Sequence, residues 1–291
     1  MQDLIDKADV LLEALPYLRR YRGKTFVIKY GGSFMDSPNA AAREAVARDI
    51  VFLAAAGIHP VVVHGGGKAI TRAMEQGGLK PTFIQGMRVT DAATVQVVER
   101  VLSRQINPQI VATINQLGGH AKGFSGTNLF TARKLWLDDG SGGKADAGFL
   151  GQVAAVKTRL LRQCLRSGTT PVCSPTARGK DGRIYNCNAD VAAAQTAIAL
   201  RAGRLIFMSD VPGVLRDPRD PASVIPYLRA SEIAQLKKSG VIDKGMIPKA
   251  DSAVAALRAG VDKVSLVDGR VPHAILLEIF TREGIGTELI P

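Results

Sequence analysis

Short apolar runs rich in β-branched residues recur along the chain: "TFVIKY" at residues 25–30, "PVVVH" at 60–64, "TPVCS" at 170–174, "RLIFMSD" at 204–210 and "DKVSLVD" at 262–268. Segments with helical spacing lie between them, and Gly57, Gly168, Gly203 and Gly260 punctuate helix ends. Short apolar strands alternating with helices build a largely parallel sheet covered on both faces. The pattern predicts an α/β protein, a three-layer αβα sandwich around a largely parallel central sheet. Residues 83–89 and 120–156 break the rhythm with glycines, polar residues and short strand-like pieces. Hairpins lying over the sheet are expected there, in the position of additions that cover a ligand.

The first residues add a further element. Leu4, Ala8, Leu11, Leu15 and Leu18 recur at spacings of four and three, the stripe of an amphipathic helix, with Pro16 expected to kink it. Such a stripe serves either its own domain or another subunit, and the spacing favours neither. A soft boundary falls in "SPTARGKDGR", residues 174–183, which is rich in turn formers.

Composition narrows the class. With 291 residues, 46% hydrophobic and 22% charged, the chain reads as an ordinary globular protein. Apolar runs such as "IVFLAAAGI" fall short of the roughly 20 residues a membrane span needs. Asp3 and Asp6 stand where a signal peptide carries basic residues, so a cytoplasmic location and no membrane partner are expected. Cys164, Cys173 and Cys187 form no CxxC pair and read as reduced core thiols. The net charge of +12 is scattered and aromatics are only 5%, which argues against nucleic acid and for small anions such as nucleotide phosphates and carboxylates.

Candidate chemistry sits at the strand ends. "KYGGS" and "HGGGK" each follow an apolar strand, where glycines let backbone N–H groups approach an anion. Neither is a Walker loop, since Ala69 follows Lys68 and Val62 stands where a glycine is required. No GxGxxG follows a strand, which weighs against a dinucleotide oxidoreductase. Alternation puts Lys29 on one face with Val27, and Phe26, Ile28 and Tyr30 on the other. A lysine there either snorkels out of the sheet or meets an anion, and both readings stand at this point.

Further along, Pro248 fits the first position of a helix, which puts Lys249 in its first turn. A lysine there opposes the helix dipole at a cost of about 0.5 kcal/mol, a sign that a bound phosphate reverses. In "YNCNADV", Asn186, Asn188 and Asp190 alternate before a helix that needs only one cap. "FMSDVPGVLRDP" brings Ser209 and Asp210 to a turn through Pro212 and Gly213, either an ordinary turn or a seat for ribose or adenine. Arg88 precedes Thr90 and Asp91 at a loop-to-helix junction and is either solvated or paired with a carboxylate.

In order, "IKYGG", "VVHGGGKAI", "GMRVTD", "NCNAD", "SDVPGVL" and "GMIPK" resemble the amino-acid kinase family, over about Lys24 to Pro291. Within that family the motifs resemble the branch that uses ATP to phosphorylate N-acetyl-L-glutamate in arginine biosynthesis. The resemblance implies that Lys29 and Lys249 stabilise the transferring phosphoryl group and that Asp190 holds both lysines. It assigns Gly66, Gly67, Arg88 and Asn186 to the acceptor. Gly31, Gly32, Asp210, Gly213, Leu215, Gly245 and Met246 fall to ATP with Mg2+, and no separate protein-held metal site is expected. Residues 1–22 would be an oligomerisation helix, 23–177 the acceptor lobe, and 178–291 the ATP lobe with a C-terminal regulatory segment. The kinked first helix and the "EGIGTELI" tail resemble members that L-arginine inhibits and that assemble as homo-hexamers, trimers of dimers. That likeness puts Tyr17, His273, Glu283 and Gly286 at or near an arginine site.

The chemistry agrees with these roles. Phosphoryl transfer rests on positioning and charge neutralisation. A carboxylate acceptor with an unperturbed pKa of about 4.3 is already ionised at neutral pH, so no general base is required and His64 reads as structural. Ser33 for the usual asparagine, "GFSGTNLF", and Cys187 for an aliphatic residue depart from the family pattern. A sister kinase acting on another carboxylate or carbamate, and a non-catalytic arginine-sensing subunit, are the rival readings.

Overall fold

The computed structural model describes residues 1–31, 40–138, 140, 142–243 and 245–291. Its strands are β1 (Thr25–Tyr30), β2 (His59–His64), β3 (Phe83–Ile84), β4 (Met87–Arg88), β5 (Ala121–Phe124), β6 (Phe130–Asp138) and β7 (Lys144–Val156), followed by β8 (Thr170–Cys173), β9 (Thr176–Gly179), β10 (Ile184–Cys187), β11 (Arg204–Ser209), β12 (Tyr227–Arg229), β13 (Lys263–Asp268) and β14 (Thr287–Ile290). Eight form one sheet in the order β12-β14-β13-β11-β1-β2-β8-β5. Among the described residues its one antiparallel pairing is β13 with β14, so β14 and β12 run against the other six strands.

The alternation read from "TFVIKY" holds in three dimensions. Val27 packs with Val61, Val63, Leu205 and Phe207 on one face of the sheet. Phe26, Ile28 and Tyr30 pack with Val62, Ile206 and Met208 on the other. Helices Thr158–Arg166, Ala189–Leu200 and Ile247–Arg258 cover the first face. Ala40–Ala55, Asn107–Gln116 and Ala274–Phe280 cover the second, which completes the three layers.

A single helix, Gln2–Tyr21, precedes β1 and contains Pro16. Its Ala14, Tyr17, Leu18 and Tyr21 pack on the second face, whereas Leu4 and Leu11 are 62% and 70% exposed. No helix among the described residues is long and apolar enough to cross a membrane.

The region 83–89 forms the expected hairpin, β3 paired with β4. Its two-residue turn has both φ angles positive, 51° at Gln85 and 76° at Gly86, the geometry that matches strand twist. The region 120–156 divides differently from the expectation. β6 and β7 pair as a hairpin and close a four-stranded barrel with β9 and β10, but β5 pairs in parallel with β8 as the edge of the central sheet. β5 is short, and Lys122 interrupts its apolar character, so it carries none of the β-branched run by which the inner strands were read. The boundary expected between residues 177 and 178 falls within β9, which pairs with both β6 and β10.

Candidate active site

β1 and β2 lie side by side in parallel and end at adjacent glycines, Gly31 and Gly65, with a hydrogen bond from the Gly65 N–H to the Tyr30 carbonyl, 2.7 Å. Lys29 reaches forward over Gly31. A Cβ at Gly31 would lie 2.3 Å from the Lys29 Nζ, so the absent side chain is what lets the ammonium sit there.

The carboxylate that meets it comes from the next layer. In helix Ala189–Leu200, Ala192, Ala193, Ala194 and Ala197 are buried against the sheet, and such small side chains bring helix and strands close together. Asn188 caps this helix, its side chain accepting from the Asp190 and Val191 N–H groups at 2.8 and 3.3 Å. Asp190 therefore stands in the first turn, where the helix dipole favours a negative charge. Asp190 lies 3.1 Å from Lys29 Nζ and 3.0 and 3.1 Å from Lys249 Nζ through its two oxygens. Both lysines are only 8% exposed.

Lys249 enters from the first turn of helix Ile247–Arg258, with proline at its start as read from the sequence. Its Nζ also sits over the Phe207 ring, 5.5 Å from the centroid. Burial lowers the Lys249 pKa, with Asp190 opposing that effect and Lys29 adding to it. Burial acts to raise the Asp190 pKa, but the two ammonium groups outweigh it and hold the carboxyl below its ordinary 3.8. Two cations thus share one anion beside Gly31 at the end of β1.

A cavity of about 390 Å³ opens beside this triplet, lined by Lys29, Asp190, Asp210, Gly66, Gly67, Arg88 and Asn186 among others. The third residue of the alternating "NCNAD" trio, Asn186, donates to Thr90 Oγ1 at 3.2 Å. Arg88 is 7% exposed and lies over the Phe83 ring at 4.8 Å. Burial lowers its pKa, so the guanidinium is a partly desolvated charge facing an anion-sized space. Asp91 caps the following helix, accepting from the Thr94 N–H at 2.7 Å.

His64 is fully buried, its Nδ1 2.9 Å from the Gly65 carbonyl and its Nε2 3.2 Å from Asn107 Nδ2. Burial pushes its pKa down to about 4, so it is neutral throughout the physiological range. Two outcomes follow. Turnover should show no inflection near pH 6.5, because His64 is already neutral there and the Asp190 carboxyl is held below 3.8. Stability measured by urea denaturation should fall as pH drops from 6.5 towards about 4, because the unfolded chain then binds a proton at His64 that the folded chain refuses. A pH–rate profile with a midpoint near 6.5 would overturn the first.

The remaining expected residues fall in other places. Gly32 lies outside the described residues. Gly213, Leu215, Gly245 and Met246 lie outside the lining of this cavity. Gly213 packs against Thr287, whose Oγ1 a Cβ would approach to 2.5 Å; Leu215 bridges to Val224; Gly245 and Met246 lead into the Lys249 helix.

A separate cavity of about 140 Å³ gathers Tyr17, Glu283 and Gly286 with the buried Arg204 and Glu278 and the half-buried Glu288. His273 does not line it. Its Nδ1 lies 2.6 Å from Oδ1 of the fully buried Asp49 instead.

Lys68 and Cys187 also line the 390 Å³ cavity, although neither was read from the sequence as a site residue. For Lys68 the signal was present, since it stands in the first turn of helix Gly67–Gln76 as Lys249 does in its own. Cys187 shows no such signal, and burial pushes its thiol up to about 12.

The Amino acid kinase family matches residues 24–268. A protein of Heliobacterium modesticaldum called acetylglutamate kinase is 45% identical over 296 residues, covering the whole of both chains. One of the same name from Geobacter sulfurreducens is 47% identical over 99% of each chain. Among solved structures, N-acetylglutamate synthase from Neisseria gonorrhoeae, complexed with coenzyme A and N-acetyl-glutamate, superposes with a TM-score of 0.85 at 27% identity. That likeness covers 98% of this chain and 63% of the synthase. Giardia carbamate kinase shares the fold, with a TM-score of 0.64 at 17% identity, over 92% of this chain and 99% of that one.

Proposed function

Because this chain belongs to the amino acid kinase family, we propose that it transfers the γ-phosphoryl group of ATP to the side-chain carboxylate of N-acetyl-L-glutamate. The product is N-acetyl-L-glutamyl 5-phosphate, an intermediate of arginine biosynthesis. The observation that carries this reading is the pair of buried lysines bridged by Asp190 beside Gly31 and the Gly65–Gly67 cluster. Full-length relatives at 45% and 47% identity, both called acetylglutamate kinase, support the choice of acceptor.

In this reading the acceptor carboxylate attacks the γ-phosphorus. A new O–P bond forms as the bond to the bridging oxygen breaks, and ADP leaves with the electron pair. The nucleophile is already ionised, so no proton has to move. The obstacle is repulsion between two anions, which Lys29 and Lys249 relieve as charge spreads over the phosphoryl oxygens. Asp190 keeps both ammonium groups aimed at one point, and the N–H groups of the glycine turns hold phosphate oxygens. Arg88 takes a carboxylate of the acceptor, with Asn186 beside it.

Among the described residues no three His, Cys, Asp or Glu side chains group as a metal site. Mg2+ keeps several waters and rides chiefly on substrate phosphates with one or two carboxylates. Asp210, in the cavity lining, is the residue we assign to it. Bound there, Mg2+ would neutralise phosphate charge.

The same proposal makes residues 23–177 the acceptor lobe and 178–291 the ATP lobe, and places the protein in the cytoplasm. It also makes the protein a homo-hexamer inhibited by L-arginine, bound in the cavity of Tyr17, Glu283 and Gly286.

The test traps the acyl phosphate with hydroxylamine while ATP is offered with N-acetylglutamate, glutamate, aspartate, an aminoadipate derivative or carbamate. Turnover is expected with N-acetylglutamate and should fall when L-arginine is added. Turnover of another acceptor with none for N-acetylglutamate would reject the substrate. An arginine-insensitive rate would reject the regulatory part alone.

A further inference from the structure

Arg88 does not reach the cavity as a free side chain. Both hydrogens of its Nη2 are committed to protein oxygens, one to the Gly67 carbonyl at 3.0 Å and one to Thr71 Oγ1 at 2.8 Å. Its Nη1 donates to the sulfur of the buried Met74 at 3.2 Å. Gly67, Thr71 and Met74 share helix Gly67–Gln76, whose first residue is the last glycine of "HGGG". Arg88 belongs to a different element, the β3–β4 hairpin.

The Thr71 hydroxyl has two partners. It donates to the Gly67 carbonyl at 3.1 Å and accepts from Arg88. A side chain that donates and accepts at one atom is required, which serine and threonine supply and valine does not. Thr71 is absent from the lining of the 390 Å³ cavity, of which Arg88 and Gly67 are both part, but it lines a neighbouring space of about 520 Å³ that shares Gly67, Lys68, Phe83 and Arg88.

We propose that Thr71 is a positioning residue for acceptor binding, fixing the Arg88 guanidinium and the Gly67 turn as one preset unit. Loss of the hydroxyl leaves a buried guanidinium hydrogen without an acceptor and frees the fork to rotate away from the incoming carboxylate. The contact is made to a group that binds the acceptor before and during reaction, so its loss weakens acceptor binding more than it slows the chemical step. The inference rests on the assignment of Arg88 to the acceptor.

The experiment is steady-state kinetics on the full chain with N-acetylglutamate and ATP, comparing Thr71→Val, Thr71→Ser and Arg88→Lys. Thr71→Val should raise the acceptor KM about tenfold, the usual scale for one hydrogen bond to a charged group. The ATP KM should stay within about twofold and kcat within about threefold, a split that a merely structural role would not produce. Thr71→Ser should return the acceptor KM to near the parent value. An unchanged acceptor KM in Thr71→Val, or a Ser variant as impaired as the Val variant, would overturn the proposal. If the Val variant does not fold, Thr71→Ala is judged by the same comparison. Arg88→Lys separates the two layers: no rise in its acceptor KM would remove the Arg88 assignment, whereas a rise there without one in Thr71→Val would remove only the role of Thr71.

Discussion

Replacing Asp190 with asparagine should lower kcat by about 10²–10³-fold, the range seen when one preorganised electrostatic partner is removed from a transition state. Asparagine keeps the shape but not the charge, so two ammonium groups held 3.0 to 3.1 Å from one carboxylate are left facing each other. They should swing apart, and Lys249, already lowered by burial, should lose its proton more readily. Stability should drop as well, by about 3 kcal/mol, because a buried charge pair is broken from one side only.

The pH dependence gives a second reading of the same variant. The folded-state pKa of Asp190 is depressed, so its contribution is fully present above 3.8 and disappears as pH falls through the folded value. The gap in stability between parent and variant should therefore narrow in acid. Single-turnover kinetics and urea denaturation at two pH values would measure both effects, and an Asp190→Asn enzyme with the parent kcat would sink the triplet as the catalytic device.

Gly31→Ala should produce a different signature. The new Cβ would fall 2.3 Å from Nζ and 2.5 Å from Cε of Lys29. These are the far atoms of a flexible side chain, which can move aside at little energetic cost, so the melting temperature should change little. The ammonium cannot then remain beside Asp190, and a shift of about 1 Å in a charge that must meet the phosphoryl group is enough to cost about 10²-fold in kcat. A loss of stability in proportion to the loss of rate would contradict this reading, as would a fully active variant.

The sequence disclosed the inner strands because each is buried on both faces and so shows an uninterrupted apolar run. It also disclosed the odd residues within them: Lys29 was conspicuous because a charge in "TFVIKY" has to be explained, and the surplus polar groups in "YNCNAD" because Asn188 alone caps the helix. β5 and the barrel were not legible in the same way. A short edge strand with Lys122 in it has no periodicity to read, and barrel closure depends on pairing between segments far apart in the chain. The hold of Thr71 on Arg88 spans 17 residues and two elements, so local spacing carries no trace of it. The likeness of motifs put His273 at or near an arginine site; its contact with Asp49, 224 residues away, left no trace in local spacing.

The bridging of two ammonium groups by one carboxylate has a consequence for the folded state as a whole. The triplet itself carries two positive charges to one negative while nearly out of water, with the Asp210 carboxylate acting on Lys249 from nearby. An anion arriving there stabilises the native state relative to the unfolded chain as well as filling a site. Resistance to heat, read without any assay of turnover, then becomes a measure of occupancy: nucleotide should raise the melting temperature of the parent by more than that of a variant lacking Lys29 or Lys249.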